Sequence, residues 1–135
     1  MTEYLFLYGT LLPGDSTEES SRIVGRLKRV GSATVRGRLY DFGDYPGAVL
    51  DRTAKSSIKG ELFELPNDDD SALKALDDYE EFNRTDRRNS LFVRTRTVAR
   101  LQGGRQLNAW VYVYNRNPGS ARQIASGDYS KSRAA

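Results

Sequence analysis

The sequence has no cysteine and no histidine. The first absence removes disulfides, thiol nucleophiles and thiolate metal sites together, and it fits a cytosolic location. The second excludes a histidine-dependent triad and an ordinary zinc site. Acid–base chemistry is left to Glu, Asp, Tyr or Lys. Long apolar runs are lacking too. The run at 4–8 is too short for a signal-peptide core, and nothing approaches the length of a membrane span. The expectation is a cytoplasmic chain with no membrane partner. Nor is there a strong charge bias. The net charge is only +3, so the pI near 9.3 reflects a small surplus of Lys and Arg, not a nucleic-acid-binding composition. Internal repeats and low-complexity linkers are missing as well.

What is present is enough for one domain. A chain of 135 residues with 38% hydrophobic content can bury a real core. The domain is expected over 1–129, with a disordered, polar, basic tail at 130–135. Tyr4 to Tyr8 is a consecutive apolar run, the pattern of a strand buried on both faces. It runs into Gly9 and Thr10, then Leu11, Leu12, Pro13 and Gly14. A strand ending in a glycine turn presents backbone N–H groups that can cradle an anion or a polar carbonyl. Ser16 and Glu19 have capping-box spacing and predict a short helix through Ile23 and Val24.

Alternation predicts strands at 33–40, 48–50, 58–65, 91–101 and 106–114, with Gly103-Gly104 as a hairpin turn. Gly37, within the first of these, signals a bulge or a close backbone approach. Asn67 to Asp70 are cap-forming residues ahead of a helix over 71–80. On that helix Leu73, Leu76 and Glu80 fall on one face, so Glu80 is drawn toward the interior. Asp77, Asp78 and Glu81 are read as solubility charges on other faces. A further short helix is predicted over Ala121 to Ala125. Strands in neighbouring runs, not alternating with helices, indicate a small, mixed, curled sheet or barrel of the α+β class.

A carboxylate on the inward face of an apolar stripe is desolvated and suits a general acid–base, which makes Glu80 the first candidate. The bland alternative is a solvated Glu80 like its neighbour Glu81. Tyr40, Tyr45, Tyr112 and Tyr114 can line a site or fill the core. Arginines 84, 87, 88, 94 and 96 can form an anion patch or a solvated face. A metal site is not expected, because the acidic residues show no Ca²⁺-loop spacing.

Taken together, these segments resemble the γ-glutamylcyclotransferase-like superfamily, in particular γ-glutamylamine cyclotransferase. Tyr8-Gly9-Thr10-Leu11 matches its YGTL loop after strand one. Gly37-Arg38-Leu39-Tyr40-Asp41-Phe42-Gly43 followed by Tyr45-Pro46-Gly47 resembles its G-x-LY-x-x-G…YPG segment. Gly60-Glu61-Leu62-Phe63 is similar to its GELY/F strand, and Leu76-Asp77-Asp78-Tyr79-Glu80 to its LD-x-x-E helix end. Ala109 to Tyr114 resembles its A-x-x-Y strand, and Ile124 to Tyr129 its I-x-SGD-aromatic tail. Each motif is weak alone; their common order carries the resemblance over nearly the whole chain.

The resemblance implies a six-stranded β-barrel with short α-helices. It implies a cofactor-independent enzyme that cyclises a γ-glutamyl amide to 5-oxoproline and a free amine or amino acid. Glu80 would be catalytic, and Tyr8, Gly9, Thr10, Leu11, Tyr45 and Tyr114 would bind substrate. The expected partner is that small molecule alone, with no nucleic acid, and the expected state is a monomer. One departure stands out: the family usually has glycine where this chain has Glu81. A non-catalytic metabolite-binding barrel of the same fold is the alternative. A single-strand nucleic-acid barrel, using Arg94, Arg96 and Arg100 with Tyr112 and Tyr114 as stacking platforms, is a weaker one.

Overall fold

The computed structural model of the chain describes residues 2–9, 22–43, 45–66, 71–80 and 82–129. Its elements are β1 (Tyr4–Leu7), β2 (Lys28–Asp41), β3 (Pro46–Leu50), β4 (Ser57–Glu64), α1 (Ser71–Tyr79), a 3₁₀ turn (Arg87–Asn89), β5 (Phe92–Leu101), β6 (Gln106–Tyr114) and β7 (Arg122–Gln123). Residues 22–24 are helical. The ring β2–β4–β1–β6–β5 closes where β5 pairs back to β2 through Ala33–Leu101 and Thr34–Arg100. β3 and β7 extend β2 outside that ring. This is the expected small mixed barrel with short helices.

β1 is the axis of the fold because its side chains alternate between two cores. Phe6 and Tyr8 point into the barrel beside Val35, Leu39, Ile58, Leu62 and Val111. Leu5 and Leu7 point outward into a second core with Phe63, Leu76, Phe92 and Tyr112. A consecutive apolar run is what such a two-sided strand requires. Leu76 of α1 is fully buried there, worth about 2–3 kcal/mol of hydrophobic stabilisation. The barrel thus gains a lid helix whose C-terminal end lies over β5 and β6.

Glycines fix two close approaches. A Cβ on Gly37 would lie 2.4 Å from the Val49 carbonyl, so this strand glycine marks close approach; the bulge in β2 lies earlier, between Arg29 and Gly31. Gly127 has φ +71°, and a Cβ there would lie 1.8 Å from the Ser57 carbonyl. Its own carbonyl accepts the Lys59 N–H at 2.7 Å, which ties the C-terminal segment to β4.

Two sequence expectations are corrected. The segment predicted as a helix at Ala121–Ala125 is instead β7, pairing Arg122 and Gln123 with Asp41 and Tyr40. The edge of β2 has backbone groups to satisfy there, and the segment lacks an apolar stripe to bury as a helix. Asp77, read as a solubility charge, is 4% exposed. The cap residues Asn67–Asp70, the capping box at 16–19 and the tail 130–135 lie outside the described residues.

Candidate active site

β1 ends at Leu7 and hands the chain to Tyr8 and Gly9. Tyr8 is a buried bolt. Its hydroxyl donates to the Tyr112 carbonyl at 2.6 Å and accepts the Ala48 N–H at 3.1 Å. Its hydroxyl is therefore engaged in joining β1, β3 and β6. Gly9 packs under Pro46: a Cβ there would lie 2.7 Å from the proline Cγ. Thr10 and Leu11, the rest of the expected substrate loop, lie outside the described residues, as does Glu81.

Beside this turn stands a cluster of four rings. Phe42 stacks on Tyr114 with centroids 4.2 Å apart, Tyr45 meets Phe42 at 5.7 Å and Phe92 at 5.6 Å, and Phe92 meets Tyr114 at 5.8 Å. Gly47 opens the gap for the stack, because a Cβ there would lie 2.5 Å from the Phe42 ring. Both expected aromatic site residues, Tyr45 and Tyr114, are thus brought together, half-buried, by the 42–47 loop and the end of β6.

Glu80 follows the last residue of α1, with its N–H still bonded to the Leu76 carbonyl at 2.9 Å. It is half-buried. Its charge acts on two buried phenols at once. Burial pushes the pKa of Tyr8 far above its ordinary value, the Glu80 carboxylate pushes it further, and the Ala48 N–H opposes. Burial likewise raises Tyr112, reinforced by its hydrogen bond to Asp77 and the Asp77 charge; Arg94 opposes, and Glu80 adds to the rise. An anion disfavours a second nearby anion. The Glu80 charge thus acts on the phenol that follows β1 and on one near the end of β6.

Between these parts sits Asp77. It accepts Arg94 Nε at 2.9 Å and Nη2 at 3.3 Å, Arg84 Nε at 3.1 Å, and the Tyr112 hydroxyl at 2.6 Å. Its carbonyl accepts the Phe82 N–H at 2.8 Å, which fixes the chain leaving α1. Tyr112 consequently holds both halves of the site. Its carbonyl fixes Tyr8, and its hydroxyl fixes the helix turn that carries Glu80.

Sequence reasoning missed this network, although a signal existed. A full helical stripe runs i, i+3, i+4, i+7, which here reads Leu73, Leu76, Asp77, Glu80. Omitting i+4 left Asp77 off the inward face. Arg94 is likewise not on a solvated face: its side chain is 8% exposed. Its guanidinium lies 4.4 Å from the centre of the Trp110 ring, and that of Arg96 lies 4.0 Å from it. Tyr112 is buried, and Tyr114 stacks on Phe42 within the ring cluster. Among the described residues no group of three or more carboxylates is placed to hold a metal ion.

Residues 5–131 match the family model described as gamma-glutamyl cyclotransferase, AIG2-like. No curated protein matches the chain. Among solved structures, the protein ytfP of Escherichia coli is 27% identical, with 96% of this chain and 98% of that one covered and a TM-score of 0.62. An AIG2-like protein of Mus musculus is 20% identical over 87% of this chain and 80% of that one, at TM-score 0.68. YkqA of Bacillus subtilis is 19% identical at TM-score 0.69; it is matched by all of this chain, which spans 44% of its length. The last two likenesses concern the fold alone.

Proposed function

Because the chain belongs to the gamma-glutamyl cyclotransferase, AIG2-like family, we propose that it cleaves a γ-glutamyl amide by intramolecular cyclisation, giving 5-oxoproline and a free amine or amino acid. The observation that carries this reading is the placement of Glu80. It is a half-buried carboxylate at the end of α1, on the turn that the Asp77–Tyr112 hydrogen bond ties to β6, the strand whose Tyr112 carbonyl also holds Tyr8.

The substrate's own α-amino nitrogen attacks its γ-carbonyl carbon. The nucleophile is tethered, so holding the ring-closing conformer supplies much of the acceleration. The α-ammonium passes a proton to Glu80, the new C–N bond forms, and a tetrahedral oxyanion develops. Backbone N–H groups of residues 9–11 are suited to anchor substrate oxygens, including that oxyanion. Collapse breaks the bond to the departing nitrogen, and Glu80 returns the proton to it. A second proton, lost from the ring nitrogen, also ends on the free amine. The scheme uses no cofactor or metal.

Tyr45 and Tyr114 would form an apolar wall for the substrate. Its partner would be the small molecule alone, and the enzyme would act as a cytoplasmic monomer; no described helix is long and apolar enough to cross a membrane. The test is to incubate the protein with γ-glutamyl amino acids, γ-glutamyl amines and glutathione and to measure 5-oxoproline. Release from at least one class is expected. Saturable binding without release from any class would leave a metabolite-binding barrel and refute the catalytic reading.

A further inference from the structure

Along one edge, β2 changes neighbour. Thr34 pairs with Arg100 of β5, but from Gly37 onward the same edge pairs with β3, starting at Leu50. β5 and β3 diverge at this point, and a cleft of about 450 Å³ opens between them. Such a volume is in the range of small-ligand sites.

The cleft draws Arg36 from β2, Arg52 from the β3–β4 connection, and Arg96 and Arg100 from β5, against a single carboxylate, Asp51. The whole chain carries a net charge of only +3, so this concentration is local. Asp51 does not neutralise these arginines. It accepts the Thr53 N–H at 2.9 Å, the Thr53 hydroxyl at 2.7 Å and Arg38 Nη1 at 2.8 Å, which together hold its pKa down at about 2. Arg96 is committed to Glu3 at 2.9 Å. Arg36 makes one long bond, 3.4 Å, to the Ala54 carbonyl. Arg52 and Arg100 have no hydrogen bond or ion pair among the described residues. Val98 in its lining is 45% exposed, one of two exposed large hydrophobic side chains among the described residues.

We propose that this cleft binds a small phosphate-bearing molecule carrying at least two negative charges. Guanidiniums from three chain segments, Arg52 and Arg100 without partners among the described residues and Arg36 with a single long bond, offer planar forks that match phosphate oxygens, more donors than one carboxylate can use. Exposed Val98 supplies apolar contact for the rest of the ligand. The cleft is lined by none of the candidate active-site residues, and the proposal is independent of the proposed reaction.

The probe is inorganic pyrophosphate, titrated at low salt while the backbone amide spectrum is followed. Saturable shifts confined to Arg36, Arg52, Val98, Arg100 and their neighbours are expected. The variant Arg36→Gln/Arg100→Gln should weaken binding at least tenfold. Lys74→Gln/Arg88→Gln, which removes equal charge elsewhere, should change it less than twofold. Equal weakening by both pairs, shifts scattered over every basic residue, or no saturation would each overturn the assignment. So would a single-stranded oligonucleotide that binds in the cleft and that pyrophosphate cannot displace.

Discussion

Replacing Asp77 by asparagine keeps the shape of the side chain and removes its charge. Three donors from different elements converge on that carboxylate: buried Arg94 through two bonds, half-exposed Arg84, and the Tyr112 hydroxyl. Asparagine has one acceptor oxygen where the carboxylate has two, so it cannot serve all of them. The Arg94 guanidinium, 8% exposed, would lose its buried counter-charge. Breaking a buried pair from one side costs about 3–5 kcal/mol, whereas Arg84, being 46% exposed, adds little. For a domain of this size each kcal/mol lowers Tm by roughly 3–5 °C, so a fall of about 10–20 °C is expected. Urea unfolding should show the loss in the midpoint with an unchanged slope. The double variant Asp77→Leu/Arg94→Met, which removes both charges, should recover most of the loss. A single-variant cost below about 1 kcal/mol would refute the claim that Asp77 is a buried hub.

Tyr112→Phe deletes only the hydroxyl that holds Asp77. It should cost about 1 kcal/mol and lower kcat at least tenfold with KM nearly unchanged, because the turn carrying Glu80 loses an anchor; equal losses in kcat and 1/KM would point to substrate contact instead. Tyr8 and Tyr112 have pKa values raised in the folded state. Their contribution to stability is complete below the unfolded value of about 10 and is lost as pH rises above it, so an absorbance titration should leave both un-ionised until the protein unfolds. Gly9→Ala places a methyl group 2.7 Å from Pro46 Cγ, and an overpacking cost of about 1–3 kcal/mol is expected in thermal melts, with weakened substrate binding as the turn shifts.

Much of the barrel was legible in periodicity. The unbroken apolar run at Tyr4–Tyr8 announced a strand with a core on each side, and the alternation about Gly103-Gly104 announced the β5–β6 hairpin. Leu73 and Leu76 fix the helix phase and put Glu80 on their stripe, and Glu80 is half-buried. Its partners were harder to find. Asp77 and Arg94 are charged, and charged residues are rarely buried unless paired. Their pairing depends on which strand lies beneath the helix, and local spacing does not contain that. Tyr8 entered as a ligand contact through the resemblance of Tyr8-Gly9-Thr10-Leu11; that its hydroxyl bonds the Tyr112 carbonyl and the Ala48 N–H was not readable from that motif. β7 was misread because two residues on a sheet edge have no period to detect.

The central claim is that Glu80 carries the proton while the β1 turn holds the substrate. The most direct measurement is single-turnover release of 5-oxoproline by wild type and Glu80→Gln, with substrate binding measured for both by calorimetry. The account predicts that Glu80→Gln binds within a fewfold of wild type and loses release by at least about a thousandfold, near the upper range for a general acid–base. Release by Glu80→Gln within tenfold of an active wild type would contradict it.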